Sequence, residues 1–290
     1  MSTSAEQGMP AAGPAAAASG TPGGEPRAEP AAGEAAGRPE AILSVADLRV
    51  RFGGVQAVAG ATFDVRRGTI TGLIGPNGAG KSTAVNAIAG QIHGAAGHVA
   101  FEGNEILGRR VEEISRLGLR RSFQTANLFG RLTVMENLLM GAPPWDGEHL
   151  RASLIGRRKW HRREAELTRK ALGIMADFGV ASLADELAAN LSGGQKRIVE
   201  IMRTIMGEPT MMLLDEPLAG INPTLARTIC DHLLALRDSG VTMLVIEHDL
   251  ALVERMCDPV IVMAQGTVLS EGSLSDLRRN REVVSAYLTG

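Results

Sequence analysis

Residues 75–83 read G-P-N-G-A-G-K-S-T, and this stretch is the one best suited to bind an anion. Its spacing fits the phosphate-loop pattern, in which two glycines with four residues between them precede a lysine and a hydroxyl residue. The glycines let the backbone turn tightly, so that its N–H groups and the following helix start favour phosphate. The lysine supplies a cation, and the hydroxyl can ligate Mg²⁺. We therefore predict a nucleoside triphosphate site made by Gly75, Pro76, Asn77, Gly78, Ala79, Gly80, Lys81, Ser82 and Thr83.

A predicted strand and a predicted helix position this loop. Residues 68–74 are short, apolar and β-branched, which is typical of a buried strand. Residues 83–89 form a good helix opening directly after the loop. A strand, a loop and a helix in this order are the context that a phosphate site requires.

Two further strands are predicted to end in reactive side chains. Asp215 and Glu216 close an apolar run, and His248 follows another apolar run at 241–246. One carboxylate beside a phosphate loop can hold Mg²⁺, and a second can take a proton from water. The alternation of strands and helices predicts a parallel α/β sheet with helices on both faces. Ligands of such sheets bind where the strands end, which is where these residues and Lys81 fall.

Two other places in the sequence can contact a nucleotide. Phe52 ends a predicted strand over 43–52, where it can stack on an adenine or fill the core. Residues 191–195 read L-S-G-G-Q and open a predicted helix that runs to Met206. Ser192 and the two glycines after it make a second helix start that favours an anion, although S-G-G alone is also an ordinary cap.

Several other elements are predicted from local patterns. A second alternating strand is expected at 61–65, and residues 259–272 form a hairpin. Thr133, with Glu136 three residues later, predicts a capping box at a helix start. The C-terminus is expected to form one amphipathic helix over 276–288.

The composition excludes several classes of protein. The chain has 290 residues, with 30 Lys and Arg against 32 Asp and Glu, so no basic field attracts nucleic acid. Its two cysteines make no disulfide framework and fit a reducing compartment. No apolar stretch approaches the roughly 20 residues of a membrane span, and no signal-peptide pattern is present. We expect a cytoplasmic chain that reaches a membrane through a partner.

Two segments stand apart in composition. Residues 1–40 consist mainly of Ala, Pro, Gly and Glu, and we predict a disordered tail. The stretch 151–163 carries six arginines and lysines, five of which lie at 157–163 around Trp160. It can touch anionic lipid headgroups, or it can form a solvated helix face with a half-buried Trp160.

Five features in one order resemble the nucleotide-binding subunit of an ABC transporter over residues 42–290. They are the phosphate loop, Gln124, L-S-G-G-Q, Asp215 with Glu216, and His248. Further motifs resemble the ATP-binding proteins of branched-chain amino acid importers, the LivG-like group, and urea and short-amide importers use very similar subunits. These motifs are R-F-G-G at 51–54, R-S-F-Q at 121–124, N-L-F at 127–129, I-E-H-D-L at 246–250 and A-Y-L at 286–288.

The resemblance implies an α/β fold of the P-loop NTPase (RecA-like) class over residues 41–290. Such a domain has a core with a parallel sheet, an antiparallel β subdomain and an inserted α-helical subdomain, here at about 125–205. In this group Thr often stands in place of Ser82, but both residues offer a hydroxyl. The tail before residue 42 is a second departure.

The resemblance also implies a role for each matching residue. Phe52 stacks on adenine, Glu216 polarises the attacking water, and His248 contacts the γ-phosphate. Gln124 reaches the water and reports to the membrane subunit. The residues implied to hold Mg²⁺ are Ser82, Gln124 and Asp215. Two such subunits meet head to tail, so one subunit's signature residues serve the ATP of its partner; they are Leu191, Ser192, Gly193, Gly194 and Gln195.

The implied function is ATP hydrolysis that energises uptake of branched-chain amino acids at the cytoplasmic face of a bacterial membrane. The implied partners are transmembrane permease subunits, a second ABC ATPase, for which a heterodimer is favoured, and indirectly an extracytoplasmic substrate-binding protein. A urea or short-amide importer is the first alternative. A soluble ABC ATPase of DNA repair or translation is the second, but the interval between loop and signature is short, and the chain has one phosphate loop.

Overall fold

A computed structural model of the chain describes residues 40–122, 128–143 and 157–289. These residues form two β-sheets and the helices that pack on them. The strands are β1 Ala41–Phe52, β2 Val55–Arg66, β3 Ile70–Ile74, β4 Ala96–Phe101, β5 Asn104–Glu105, β6 Leu119–Arg121, β7 Met211–Asp215, β8 Thr242–Ile246, β9 Val260–Ala264 and β10 Thr267–Gly272. The α-helices are α1 Lys81–Ile88, α2 Val111–Arg116, α3 Val134–Leu139, α4 Arg157–Asp177, α5 Gly193–Met206, α6 Pro223–Asp238, α7 Leu250–Met256, α8 Leu274–Leu277 and α9 Arg281–Thr289.

The larger sheet has six strands in the order β10-β9-β3-β8-β7-β6. The five strands from β9 to β6 are parallel, and β10 is antiparallel to β9. Every residue of β3, β7 and β8 is buried, as expected for parallel strands that are covered on both faces. The parallel sheet predicted from the sequence is therefore present, and its central strands β3, β8 and β7 end at one edge.

The smaller sheet is antiparallel, in the order β2-β1-β4-β5. Its β2 strand is longer than the predicted run at 61–65, because pairing with β1 begins at Val55. The local pattern misses this part because Gly60 interrupts it. In the ladder Ala61 pairs with Leu48 and Ala59 with Arg49, so Gly60 is the extra residue of a bulge, at φ +109°.

Side chains of the six-stranded sheet alternate between two cores. Leu73, Leu213 and Leu244 point into a core that is shared with β1, β2, β4 and α1. Their sequence neighbours, such as Ile74 and Leu214, point into a second core under α3 to α6. The central strands are thus fixed from both faces, which makes their ends a rigid base for a site.

The C-terminal prediction of one helix is wrong. The chain forms α8, then a break, then α9, since the side-chain oxygen of Asn280 caps the second helix by accepting from the backbone N–H of Glu282 at 2.9 Å. The predicted capping box of Thr133 and Glu136 at the start of α3 is confirmed, as is the hairpin of β9 and β10. Among the described helices, none combines the length and the apolarity needed to cross a bilayer.

Candidate functional site

The predicted phosphate loop lies between β3 and α1, and its outer glycines are required by packing. Gly75 has φ +149°, and a methyl group there would lie 2.0 Å from the carbonyl oxygen of Met263. Gly80 has φ +94°, and a methyl group there would lie 2.3 Å from the carbonyl oxygen of Ala57. Glycine at both positions lets β2 and β9 approach the loop closely. The tip of the loop, at Asn77 and Gly78, is exposed.

Lys81 folds back into the loop that precedes it. Its Nζ donates to the carbonyl oxygens of Gly75 at 2.8 Å and Pro76 at 2.9 Å, and the residue is 6% exposed. Burial lowers the pKa of Lys81, while the charges of Glu216 and Asp215 oppose that shift. The lysine is therefore held inside the loop as a partly desolvated cation, where an added phosphate group gains a strong electrostatic partner.

Asp215 ends β7 next to the start of α1. Its Oδ1 accepts a hydrogen bond from the hydroxyl of Ser82 at 3.4 Å, and the residue is fully buried. Its Oδ2 pairs with Nη2 of Arg121 at 3.1 Å. A hydroxyl and a carboxylate oxygen side by side are the kind of oxygen donors that Mg²⁺ takes, so the residues present fit this ion.

Glu216 and His248 meet across the ends of β7 and β8. The Nε2 of His248 lies 2.8 Å from Oε1 of Glu216, and both side chains are partly exposed. The backbone N–H of Glu216 donates to the carbonyl oxygen of Ile246 at 3.0 Å, which continues the ladder one residue past the strands. Glu216 also has φ +49°, an uncommon conformation for this residue type.

Phe52 does not fill the core, which was one of its two predicted placements. Its side chain stands at the tip of the β1–β2 hairpin, and the residue is 53% exposed. Five residues later Ala57 touches the phosphate loop through its carbonyl oxygen, as described for Gly80. The hairpin thus presents an accessible aromatic ring on the strand pair that borders the loop.

The L-S-G-G-Q stretch forms the start of α5. The hydroxyl of Ser192 accepts from the N–H of Gln195 at 3.3 Å, and the Gln195 side chain accepts from the N–H of Ser192 at 2.9 Å. Leu191 is buried, whereas Gly193 has open space around it. Within the described parts of the chain, no hydrogen bond or ion pair joins residues 191–195 to residues 75–83.

The structure therefore brings five predicted residues to one edge of the sheet: Lys81, Ser82, Asp215, Glu216 and His248. The signature residues form a separate surface. Gln124 lies outside the described residues, so its predicted contact with water and Mg²⁺ stays a prediction.

Three buried charged residues next to this site received no role from the sequence: Arg121, Arg197 and Glu247. Burial raises the pKa of the Glu247 carboxyl. A usable signal existed for Arg197, because it lies among the apolar residues of the α5 pattern. Arg121 and Glu247 lie within quoted motifs, but only their neighbours were assigned a function.

Comparisons with known proteins agree with this geometry. The model of the ABC transporter family matches residues 58–219. A probable branched-chain amino acid transport ATP-binding protein LivG of Archaeoglobus fulgidus is 39% identical over 85% of this chain and 95% of its own length. The high-affinity branched-chain amino acid transport ATP-binding protein BraF of Pseudomonas aeruginosa is 36% identical over 85% of this chain and 97% of its length.

Solved structures that resemble this chain are also ATP-binding cassettes of ABC transporters. A nucleotide-free ATP-binding cassette from an ABC transporter superposes with a TM-score of 0.75 at 35% identity, covering 87% of this chain and all of that one. The ADP conformation of another ATP-binding cassette of an ABC transporter gives a TM-score of 0.73 at 37% identity with the same coverage.

Proposed function

The chain belongs to the ABC transporter family as an ATP-binding and ATP-hydrolysing subunit, and from this premise we propose that it energises import of branched-chain amino acids. Such subunits pair with each other and act on membrane permeases. The family resemblance and the α/β P-loop fold class predicted from the sequence are both confirmed. The cargo is proposed because the relatives described above are named for branched-chain amino acid transport.

The observation that carries the proposed chemistry is the meeting of Glu216 and His248 beside Lys81 and Asp215, where β3, β7 and β8 end. Lys81 and the backbone of residues 75–83 bind the phosphates. Ser82, Asp215 and Gln124 would hold Mg²⁺, which would supply positive charge against the phosphates. Glu216 orients the attacking water and accepts a proton from it, and His248 contacts the γ-phosphate.

The remaining predicted residues act at the borders of this site. Phe52 stacks on the adenine, for which its exposed position on the hairpin is suitable. Leu191, Ser192, Gly193, Gly194 and Gln195 contact the ATP that the partner subunit binds. Residues from about 125 to 205 form the helical subdomain, through which Gln124 reports nucleotide state to the permease.

The assembly we propose is a heterodimer with a second ABC ATPase. It lies on the cytoplasmic face of the bacterial cell membrane, held there by two permease subunits. An extracytoplasmic substrate-binding protein delivers the cargo from the other side. Uptake of labelled leucine by a deletion strain tests the cargo: it should fall and recover with the wild-type chain but not with Glu216→Gln. Unchanged leucine uptake with reduced urea uptake would favour the short-amide alternative.

The catalytic assignment is tested by Glu216→Gln, an isosteric change that removes the negative charge. We expect the single-turnover rate of Mg-ATP hydrolysis to fall by a factor of about 10² to 10⁴, with ATP affinity kept. Glu254→Gln is the matched control, because this exposed glutamate on α7 pairs only at the surface with Arg278. A Glu216→Gln chain that hydrolyses ATP at the wild-type rate refutes Glu216 as the residue that activates water.

A further inference from the structure

The segment 215–218 presents Glu216 to the site in a backbone conformation that needs support. Glu216 has a positive φ of +49°, and Pro217 follows it directly. A non-glycine residue in this conformation is strained relative to its preferred regions, so surrounding contacts must hold it. Two buried charges of opposite sign provide those contacts.

Arg197 of α5 holds the carbonyl side of the segment. Its Nη2 donates to the carbonyl oxygens of Asp215 and, at 2.8 Å, of Glu216, while its Nε donates to that of Pro217 at 3.3 Å. Its Nη1 pairs with Glu200 at 2.8 Å, and the arginine is 6% exposed. A single planar guanidinium therefore fixes three successive carbonyl groups around the candidate catalytic residue.

Glu247 holds the amide side. One carboxylate oxygen accepts from the backbone N–H of Leu218 at 3.0 Å, and the other accepts from the backbone N–H of His248 at 3.3 Å. The residue is 4% exposed. Glu247 thus binds the backbone that follows Glu216 and also the backbone of the histidine that Glu216 contacts.

The two anchors match the polarity of the backbone groups that they bind. The guanidinium of Arg197 donates to carbonyl oxygens, and the carboxylate of Glu247 accepts from N–H groups. Charge-assisted hydrogen bonds of this kind are about twice as strong as neutral ones, and they are stronger still in a buried site. A rotation of the peptide planes around Glu216 would break contacts to both anchors, so the direction in which its Cα–Cβ bond leaves the backbone is fixed.

We propose that Arg197 and Glu247 are positioning residues, which together set the distance of Glu216 from His248 and from the reacting water. This inference rests on the proposed function, since it assigns to Glu216 the activation of water. Both side chains bind the backbone that carries Glu216. Their contribution is to the rate of the chemical step, and it acts through Glu216.

The test is single-turnover hydrolysis of Mg-ATP by the full-length chain carrying Glu247→Gln or Arg197→Lys. A glutamine offers one accepting oxygen where two N–H groups need an acceptor, and a lysine cannot reach three carbonyls as a planar fork does. We expect the rate constant to fall by about 10- to 100-fold, as for a misplaced catalytic group. The dissociation constant of ATP should stay within about twofold, because the phosphate contacts are unchanged.

A double-mutant cycle separates positioning from general support of the fold. When Glu216→Gln is already present, adding Glu247→Gln should lower the remaining rate by less than about threefold, because the group that it positions is gone. A loss of equal size in both backgrounds overturns the proposal. So does a folded Glu247→Gln chain with the wild-type rate. Glu254→Gln serves again as the control for charge removal.

Thermal unfolding of every variant decides whether the rates can be interpreted. If Glu247→Gln does not fold, Arg197→Lys carries the test, and if neither folds, both residues are needed for the fold and the proposal is overturned. The proposed function fails separately. A Glu216→Gln chain with the wild-type rate refutes the catalytic assignment, whereas an inactive Glu216→Gln with a fully active Glu247→Gln refutes only the positioning role.

Discussion

The two helix starts predicted to bind phosphate are built in opposite ways. At the start of α1, no side chain caps the first turn, Gly80 adopts φ +94°, and the buried Lys81 folds back over the loop. At the start of α5, Ser192 and Gln195 satisfy each other's backbone N–H groups. Gly193 is exposed with open space around it, and a methyl group at Gly194 would meet only the side chain of Leu225, at 3.6 Å.

From this difference we expect the α1 start to bind a nucleotide by itself and the α5 start to need a second surface. The α1 start leaves its backbone N–H groups for an anion and adds a cation inside a rigid frame. Folding has therefore already ordered the groups that bind a phosphate. The side chains of Ser192 and Gln195 already accept from part of the backbone N–H groups at the α5 start, and the nearby cation Lys196 is only partly buried. The α5 start contributes when a second surface brings a phosphate to it. The head-to-tail pairing proposed above supplies that surface.

The largest expected effect comes from removing the cation at the first start. Lys81→Met should weaken binding of a fluorescent ATP analogue by about 100-fold, which corresponds to about 3 kcal/mol for a charged hydrogen-bonding partner of phosphate. Lys196→Met makes the same change at the second start, where the lysine is only partly buried and donates to the carbonyl oxygen of Ala189. It should change the affinity of the isolated chain by no more than about twofold. Equal losses of ATP affinity in the two variants would contradict the proposed difference between the two helix starts.

A smaller effect is expected from adding a methyl group at each start. Gly80→Ala places a Cβ against the carbonyl oxygen of Ala57 and forces a left-handed backbone, so it should cost about 3 kcal/mol and lower Tm by about 6–12 °C. Gly193→Ala meets open space and an ordinary φ, and it should raise stability by up to about 1 kcal/mol. Calorimetry of the two variants measures this difference. A Gly80→Ala chain as stable as the wild type would show that the first start is not rigid.

The smallest effect is loss of a helix cap. Ser192→Ala and Thr133→Ala remove equivalent capping boxes, at α5 and at α3, and each should cost about 1 kcal/mol of unfolding free energy. The two variants differ in what else they change. Only Ser192→Ala should weaken ATP-dependent pairing with a second cassette, which sedimentation in Mg-ATP measures in a Glu216→Gln background. If both variants pair with the second cassette equally well, Ser192 does not contribute to the dimer site.

Local patterns were enough for the elements that carry strong periodicity or a cap. The strand before the phosphate loop, the capping box at Thr133 and the hairpin of β9 and β10 are as predicted. The predictions failed where strand pairing at a distance, or a cap inside the predicted helix, decided the outcome. Thus β2 continues through the bulge at Gly60 because β1 pairs with it, and the C-terminal helix divides because Asn280 caps its second half.

The sequence by itself determined which residues have the chemistry for phosphate, since a glycine loop with a lysine and strand-ending carboxylates are defined by residue type and spacing. The tertiary structure decided which of these residues meet and what holds them. Glu216 reaches His248 because β7 and β8 are parallel neighbours, and only the fold shows which backbone groups Arg197 and Glu247 bind. A buried charge has meaning only through the partners that fold around it, and those partners come from distant parts of the chain.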